Sequence, residues 1–257
     1  MNRKQRLLKI VVQSRVYNTR LEAEKAIRDG KVSVDGKPLI IPDYQLDPKK
    51  RKVLIEGKPI KSISKTLYFA FNKPIGVTCE KNEVSNIYHF LRRLKISEEE
   101  RKSLSCVGRL DKDTTGLIVF TNDGDFAHTL LQPKSKIPKT YEVKIKGYLT
   151  KNEAAILRQG VEIKLDDKVY KTLPCEVFGI TGDEKATSCR ITITEGKKRQ
   201  IRKMFEALGH GVLDLKRVSI GKLKLENLPQ GNFREIKKED VLGSKVLSSN
   251  KKTKDDY

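Results

Sequence analysis

The chain has no tryptophan, only two methionines and three histidines, and aromatic residues make up 6% of its 257 positions. It holds four cysteines, Cys79, Cys106, Cys175 and Cys189, separated by 27, 69 and 14 positions. No close pair suggests a zinc knuckle or a redox dithiol, and the spacing is not that of a secreted disulfide scaffold. They read as reduced, mostly buried thiols. His89, His128 and His210 lie far apart without acidic partners at ligand spacing, so they carry no metal site by pattern. No apolar run approaches membrane-spanning length, and the N-terminal "MNRKQRLLKIVVQSR" has neither a long apolar core nor a small-residue cleavage site, so a cytoplasmic protein is expected. Acidic residues are also scarce: 33 Asp and Glu stand against 54 Lys and Arg, a net charge of +21. The surplus runs along the whole chain, which is the electrostatic footprint of a polyphosphate partner.

What is present divides into two stretches. The first 62 residues carry 16 Lys and Arg against 7 Asp and Glu, a net +9. Leu7, Leu8, Val11 and Val12 recur at helical spacing, and "TRLEAEKAI" predicts a second helix capped by Thr19, with Glu22 at the reciprocal capping position and Gly30 as its stop. "KVSVDGKPL" and "KVLIEGKPI" predict short strands with tight turns. Arg3, Lys4, Arg6, Arg15, Arg20, Lys25, Arg28 and Lys31 decorate the helix pair and are the expected contacts to RNA phosphates, since each cation releases condensed counterions on contact. The stretches "RLLKIVV", "NTRLEAEKAIRDGKVSVDGK" and "VLIEGKPI" resemble an S4 RNA-binding domain over residues 5 to 60. Asn18, Thr19 and Arg20 stand where such domains commonly carry a serine and two basic residues.

After "KSISK" at 61–65, read as a hinge, a larger unit of mixed strands and helices is expected over 66–236, with a flexible basic tail over 237–257. "LYFAFNKPIG", "LIVFTNDG", "KTYEVKIKGYL" and "SCRITITEG" read as strands and "KNEAAILRQG" as a helix. Ile201, Met204, Phe205 and Leu208 make an i, i+3, i+4, i+7 stripe ending at Gly209. On that helix Arg202 flanks the apolar stripe, where it can be held against a carboxylate, while Arg199 and Lys203 point to solvent.

"GRLDKDTTGLIVFTNDG", residues 108–124, sets Asp111 and Asp113 between Arg109 and Lys112. Two carboxylates two positions apart are compatible with Mg²⁺, but no further acids accompany them, and Asp123 belongs to a turn after the strand. The stretch reads as an ordered turn with one working acid and no metal. Tyr141 in "KTYEV" is equally readable as a base-stacking ring or a core residue.

"NKPIGV", "GRLDKDTTGLIVFTNDG", "KTYEV" and "EGKKRQIRKMFEALGHGVLDLKRVSIGKL" together resemble the RsuA-like ribosomal RNA pseudouridine synthase family, over residues 67–236. The resemblance implies an α+β protein: an S4 domain followed by a catalytic domain with a central mixed, mostly antiparallel sheet flanked by helices, using neither metal nor organic cofactor. It assigns catalysis to Asp111, a supporting place to Asp113, base stacking to Tyr141 and the basic partner of the aspartate to Arg202, with Arg109 helping to hold the flipped nucleotide. The expected partner is ribosomal RNA or a ribosome assembly intermediate, met by a monomer. Two other readings compete: an RNA-binding protein without activity, and a Mg²⁺-dependent phosphotransferase, which lacks a phosphate-cradling glycine loop.

Overall fold

The computed structural model describes residues 4–14, 16–17, 19–48, 50–60 and 65–243. Arg3, Arg15, the hinge at 61–64 and positions 244–257 lie outside the described residues. The chain divides into two compact units, residues 1–66 with 97–103, and 67–96 with 104–257.

In the first unit, strand β1 (Gln5–Arg6) leads into helix α1 (Leu7–Ser14), which buries Leu7, Leu8, Ile10 and Val11. Helix α2 (Arg20–Arg28) is capped by Thr19, whose side chain accepts from the Glu22 amide, and buries Ala23, Ala26 and Ile27. Strands β2 (Val32–Val34), β3 (Lys37–Pro38), β5 (Val53–Ile55) and β6 (Lys58–Pro59) form a four-stranded sheet in the order β3-β2-β5-β6, and β4 (Gln45–Leu46) pairs with β1. Asp35 and Gly36 both take positive φ, the geometry of a two-residue hairpin turn whose twist suits the flanking strands. Val32, Val34, Val53 and Ile55 point into one core with the helices, because side chains alternate across a strand. Lys4, Arg6, Arg20, Lys25, Arg28 and Lys31 all stay exposed. Residues 97–103 of this unit include the short helix α3 (Glu98–Ser103).

The second unit is built on a nine-stranded sheet. β7 (Tyr68–Lys73), β8 (Ser105–Val107), β9 (Thr115–Thr121), β10 (Lys139–Lys146), β13 (Glu176–Gly182), β14 (Ala186–Ile193), β15 (Val212–Ile220), β16 (Leu223–Lys224) and β17 (Phe233–Glu235) compose it, with main path β13-β14-β10-β15-β9-β7-β17. β11 (Glu162–Leu165) and β12 (Lys168–Lys171) form a separate hairpin. β9 is buried at every position and β7 at all but its first, as strands covered on both faces must be. Phe69, Phe71, Ile118 and Phe120 face one core, which also takes Ala154 and Leu157 of α5 (Lys151–Gln159) and Ile201, Met204 and Phe205 of α6 (Gln200–Glu206). Ala70, Leu117 and Val119 face the other, with Phe126 and Leu130 of α4 (Gly124–Leu131).

Two expectations need correction here. The flexible tail does not begin at 237: Lys238–Leu242 form helix α7, and Val241 and Leu242 are buried in the second core with Ile220 and Leu223. Asp123 is more than a turn residue, since its carboxylate caps α4 by accepting from the amides of Asp125 and Phe126.

All pairings within the large sheet are antiparallel except β15 with β9, where Lys216 faces Thr115 and Arg217 faces Gly116. That parallel pair at the middle of the sheet positions the site. Gly116 has φ +102, and a Cβ there would lie 2.2 Å from the Arg217 carbonyl, so the close approach of the two strands requires glycine.

Candidate active site

The turn before β9 is held from beneath by a lysine. Lys73, at the end of β7, has no exposed surface, and its ammonium donates to the carbonyls of Thr114 (2.7 Å), Pro74 (3.0 Å) and Lys112 (3.3 Å). Burial pulls its pKa down to about 8, partly offset by the neighbouring Cys79 and by the carboxylates of Asp113 and Asp111. The Gly76 amide donates to the Lys112 carbonyl at 2.9 Å, and Cys79 exchanges hydrogen bonds with the backbone of Leu110 at 3.4 Å. "NKPIGV" therefore builds the seat of the 110–114 backbone. Lys73 has no role in the sequence pattern, because the carbonyls of Lys112 and Thr114 that it holds are brought to it only by the fold.

The two aspartates of the turn have different surroundings. Asp113 pairs through Oδ2 with Arg202 Nη2 at 3.1 Å and Arg199 Nη2 at 3.3 Å. Arg202, whose side chain is only 13% exposed, also donates to the Asp113 carbonyl at 2.8 Å and the Val212 carbonyl at 3.1 Å. Asp111 is half-buried, lines the cleft, and among the described residues makes no ion pair. The helical-face reading of Arg202 as a buried clamp agrees with this geometry, but its partner is Asp113, where Asp111 was expected. Arg199 is also corrected: it takes a left-handed conformation just before α6 and turns back to Asp113. A carboxylate shared by two guanidiniums is a poor ligand for a divalent cation. Among the described residues no group of three or more His, Cys, Asp or Glu is arranged to hold a metal ion.

The cleft encloses about 430 Å³, in the range of small-molecule sites. Asp111 and Arg109 line it beside Tyr141, with Leu131 at the end of α4, Pro133 just past it and the basic loop 197–199. Tyr141 is 8% exposed, in register between Ile191 of β14 and Arg217 of β15, so it serves both the core and the cleft. Arg109 is exposed and pairs with Glu80 at 2.8 Å. The basic loop is anchored by a buried network: Glu195 accepts from Tyr170 Oη (2.5 Å), Gln200 Nε2 (2.7 Å) and the Leu173 amide (2.8 Å). Lys197 lies over the Tyr170 ring, 4.8 Å from its centroid. Lys139 and Arg217 also line the cleft, and neither was singled out by pattern. Burial, and then the charge of Arg217, lower the Lys139 pKa. The cleft thus sets Asp111, which among the described residues makes no ion pair, and the rings of Tyr141 and Tyr170 among the cations Lys139, Lys197, Lys198, Arg199 and Arg217. His210, by contrast, is structural, held by the Lys146 carbonyl and Glu153.

The family model described as RNA pseudouridylate synthase matches residues 67–207, and the S4 domain model matches residues 5–51. The chain is 36% identical to an uncharacterised RNA pseudouridine synthase of Bacillus subtilis, over 88% of this chain and 92% of that one. It is 32% identical to ribosomal large subunit pseudouridine synthase B of the same organism, over 96% and 98%. It is 31% identical to ribosomal small subunit pseudouridine synthase A of Salmonella typhimurium, over 87% and 93%. A crystal structure of a pseudouridylate synthase superposes with a TM-score of 0.63 at 30% identity, covering 92% of this chain and 97% of that one. With both domain models matched in order and whole-length relatives above 30% identity, the chain belongs to the RNA pseudouridine synthase family, as an S4-bearing, RsuA-like member.

Proposed function

We propose that this protein isomerises a specific uridine of ribosomal RNA to pseudouridine, with Asp111 as the reacting carboxylate. The observation that carries the assignment is the division of labour between the two aspartates: Asp113 pairs with Arg199 and Arg202, while Asp111 lines the cleft and makes no ion pair among the described residues. The reaction breaks the C1′–N1 bond, turns the base and joins C1′ to C5, with the C5 proton lost to solvent and a proton gained at N1. Atoms and electrons balance without an oxidant or an energy donor. Attack on C1′ and removal of the C2′ proton both need an ionised carboxylate with a free lone pair facing the sugar. The base must leave its stack to reach the cleft, so Tyr141 is the platform for the extruded ring and Arg109 a hold on the nucleotide.

Ribosomal RNA is the substrate supported by the names of two whole-length relatives, one acting on the large and one on the small subunit. The exposed cations of the first unit, Lys4, Arg6, Arg20, Lys25, Arg28 and Lys31, are assigned to flanking phosphates, and Arg3 and Arg15 belong to the same set by sequence. The test is tritium release from 5-tritiated ribosomal RNA of a strain lacking the protein. Wild-type enzyme releases tritium and Asp111→Asn releases none while retaining fold and RNA affinity; an active Asp111→Asn enzyme would refute the assignment.

A further inference from the structure

Arg217 stands in the middle of the large sheet, 4% exposed, opposite Gly116 on one side and Tyr141 on the other. Its Nε donates to the Leu117 carbonyl at 2.7 Å, and Nη1 reaches the Tyr141 hydroxyl at 3.5 Å, the limit of a hydrogen bond. Nη2 is buried with no partner. Among the described residues the guanidinium makes no ion pair. A buried donor without an acceptor is destabilising, the more so when it is charged. Bridging β15 to β9 needs only Nε. Arg217 lines the same cleft as Asp111 and Tyr141.

Resting on the reading of this cleft as a uridine site, we infer that Arg217 reads the target base: its Nη2 donates to a ring carbonyl of the uracil stacked on Tyr141. Nη2 is closed to water, so the guanidinium re-aims on binding, with Nε as the pivot and the long Nη1 contact given up. Chemistry favours a carbonyl. A guanidinium has donors only, and uracil offers acceptors at C2 and C4, whereas cytosine presents an amino donor at C4. Turning the base about the N3–C6 axis, which brings C5 to the place of N1, also exchanges C2=O with C4=O. A donor fixed at one edge is therefore satisfied before and after the turn and unsatisfied during it. Phosphates have the exposed Lys197, Lys198 and Arg199 at the rim, so the buried cation is left for the base.

The experiment uses the full-length enzyme and an RNA fragment bearing the mapped target as uridine, 2-thiouridine or 4-thiouridine, because a thiocarbonyl is a poor acceptor. Single-turnover rates are compared for wild type, Arg217→Gln and Arg217→Lys. The expected result is a loss of about tenfold or more for wild type on at least one thio substrate, the lower range for a hydrogen bond to a charged donor. In Arg217→Gln, slower on uridine, that penalty shrinks below about threefold, a coupling that a purely structural arginine does not produce. Arg217→Lys restores part of the uridine rate. Equal thio penalties in wild type and Arg217→Gln overturn the proposal. So does a wild type indifferent to both thio substitutions, a result that stands even if both variants misfold. A methylphosphonate beside the target that erases the Arg217→Gln defect would assign the arginine to phosphate and overturn it too. Wild type inactive on every ribosomal RNA would instead remove the rRNA reading and this proposal with it.

Discussion

Replacing Arg202 by alanine tests how the turn is held. The side chain is 13% exposed and makes three contacts at 2.8 to 3.1 Å, two to backbone carbonyls and one to the Asp113 carboxylate. Asp113 is 45% exposed, so the ionic part is worth only about 0.5–1 kcal/mol. The two charged bonds to the carbonyls of Asp113 and Val212 dominate, and with partial replacement by water the total loss is about 2–4 kcal/mol. Released on that side, the turn keeps its contacts with Lys73, Gly76 and Cys79 and the exposed pair of Asp113 with Arg199. A displacement on the order of 1 Å at a reacting group costs about a hundredfold in rate. Arg199, paired with Asp113 at 46% and 45% exposure, contributes about 0.5 kcal/mol, so Arg199→Ala should lose roughly twofold. Asp113→Asn keeps its backbone carbonyl and the bond from Arg202, and should fall between them. The assay is single-turnover pseudouridine formation at saturating RNA, with denaturant midpoints measured in parallel. Arg202→Ala should cost less in the Asp113→Asn background, by about 1 kcal/mol. Equal losses for Arg199→Ala and Arg202→Ala, or additive effects of Arg202→Ala and Asp113→Asn, would refute the clamp and return Arg202 to a direct role at Asp111.

Lys73→Met should lower stability by about 2–4 kcal/mol, because three buried carbonyls lose a charged donor. Between the folded pKa near 8 and the ordinary 10.5, the unfolded chain holds a proton that the folded one has lost, so wild-type stability rises with pH relative to the mutant. Denaturation at pH 7.5 and 9.5 should show the gap widening, and a constant gap rejects the shifted lysine. Tyr141→Phe should keep its RNA affinity and lose less than about tenfold in rate, since stacking uses the ring and the hydroxyl has only the 3.5 Å contact; abolished turnover would make the hydroxyl a reacting group. Arg20→Ala with Lys25→Ala should weaken RNA binding and reduce the slope of log affinity against log salt by roughly 0.7–0.9 per cation, with the saturating rate within about twofold. An unchanged slope would remove these two from the phosphate contacts.

The parts legible in the sequence are those fixed by neighbours in the chain. The Thr19 cap, the paired valines of β2 and the Asp35-Gly36 turn follow from residues within a few positions, and the Ile201–Phe205 stripe named the buried face of α6 correctly. The wheel failed at Arg199 because the helix begins only at Gln200: the Glu195–Gln200 bond holds 196–199 as an exposed loop, outside helical geometry. β15 escaped notice because its alternation breaks. Thr140 faces Ser219 while Tyr141 faces Arg217, a bulge that puts Leu215 and Arg217 inward on one parity and Ile220 inward on the other. Lys73 and Arg217 were illegible for a different reason. Most of their partners lie 39 to 100 positions away, and a lone cation in or at the end of a strand reads as solvated until those carbonyls are brought to it.

The same long-range contacts explain why a second aspartate stands two positions after the first. Asp113 engages one oxygen, Oδ2, with two arginines, and a carboxylate proposed to act at a sugar carbon or its proton must keep its lone pairs free of such pairs. Yet a turn that presents such an acid to a cleft has to be held in place by contacts that do not use the acid itself. Here the holding contacts go to the backbone carbonyls of Lys112, Asp113 and Thr114, from Lys73 on one side and Arg202 on the other. Asp113 accepts the ion pairs that would otherwise close on its neighbour. Arg199 and Arg202 meet Asp113, and among the described residues no cation pairs with the oxygens of Asp111, the arrangement that the role proposed for Asp111 requires.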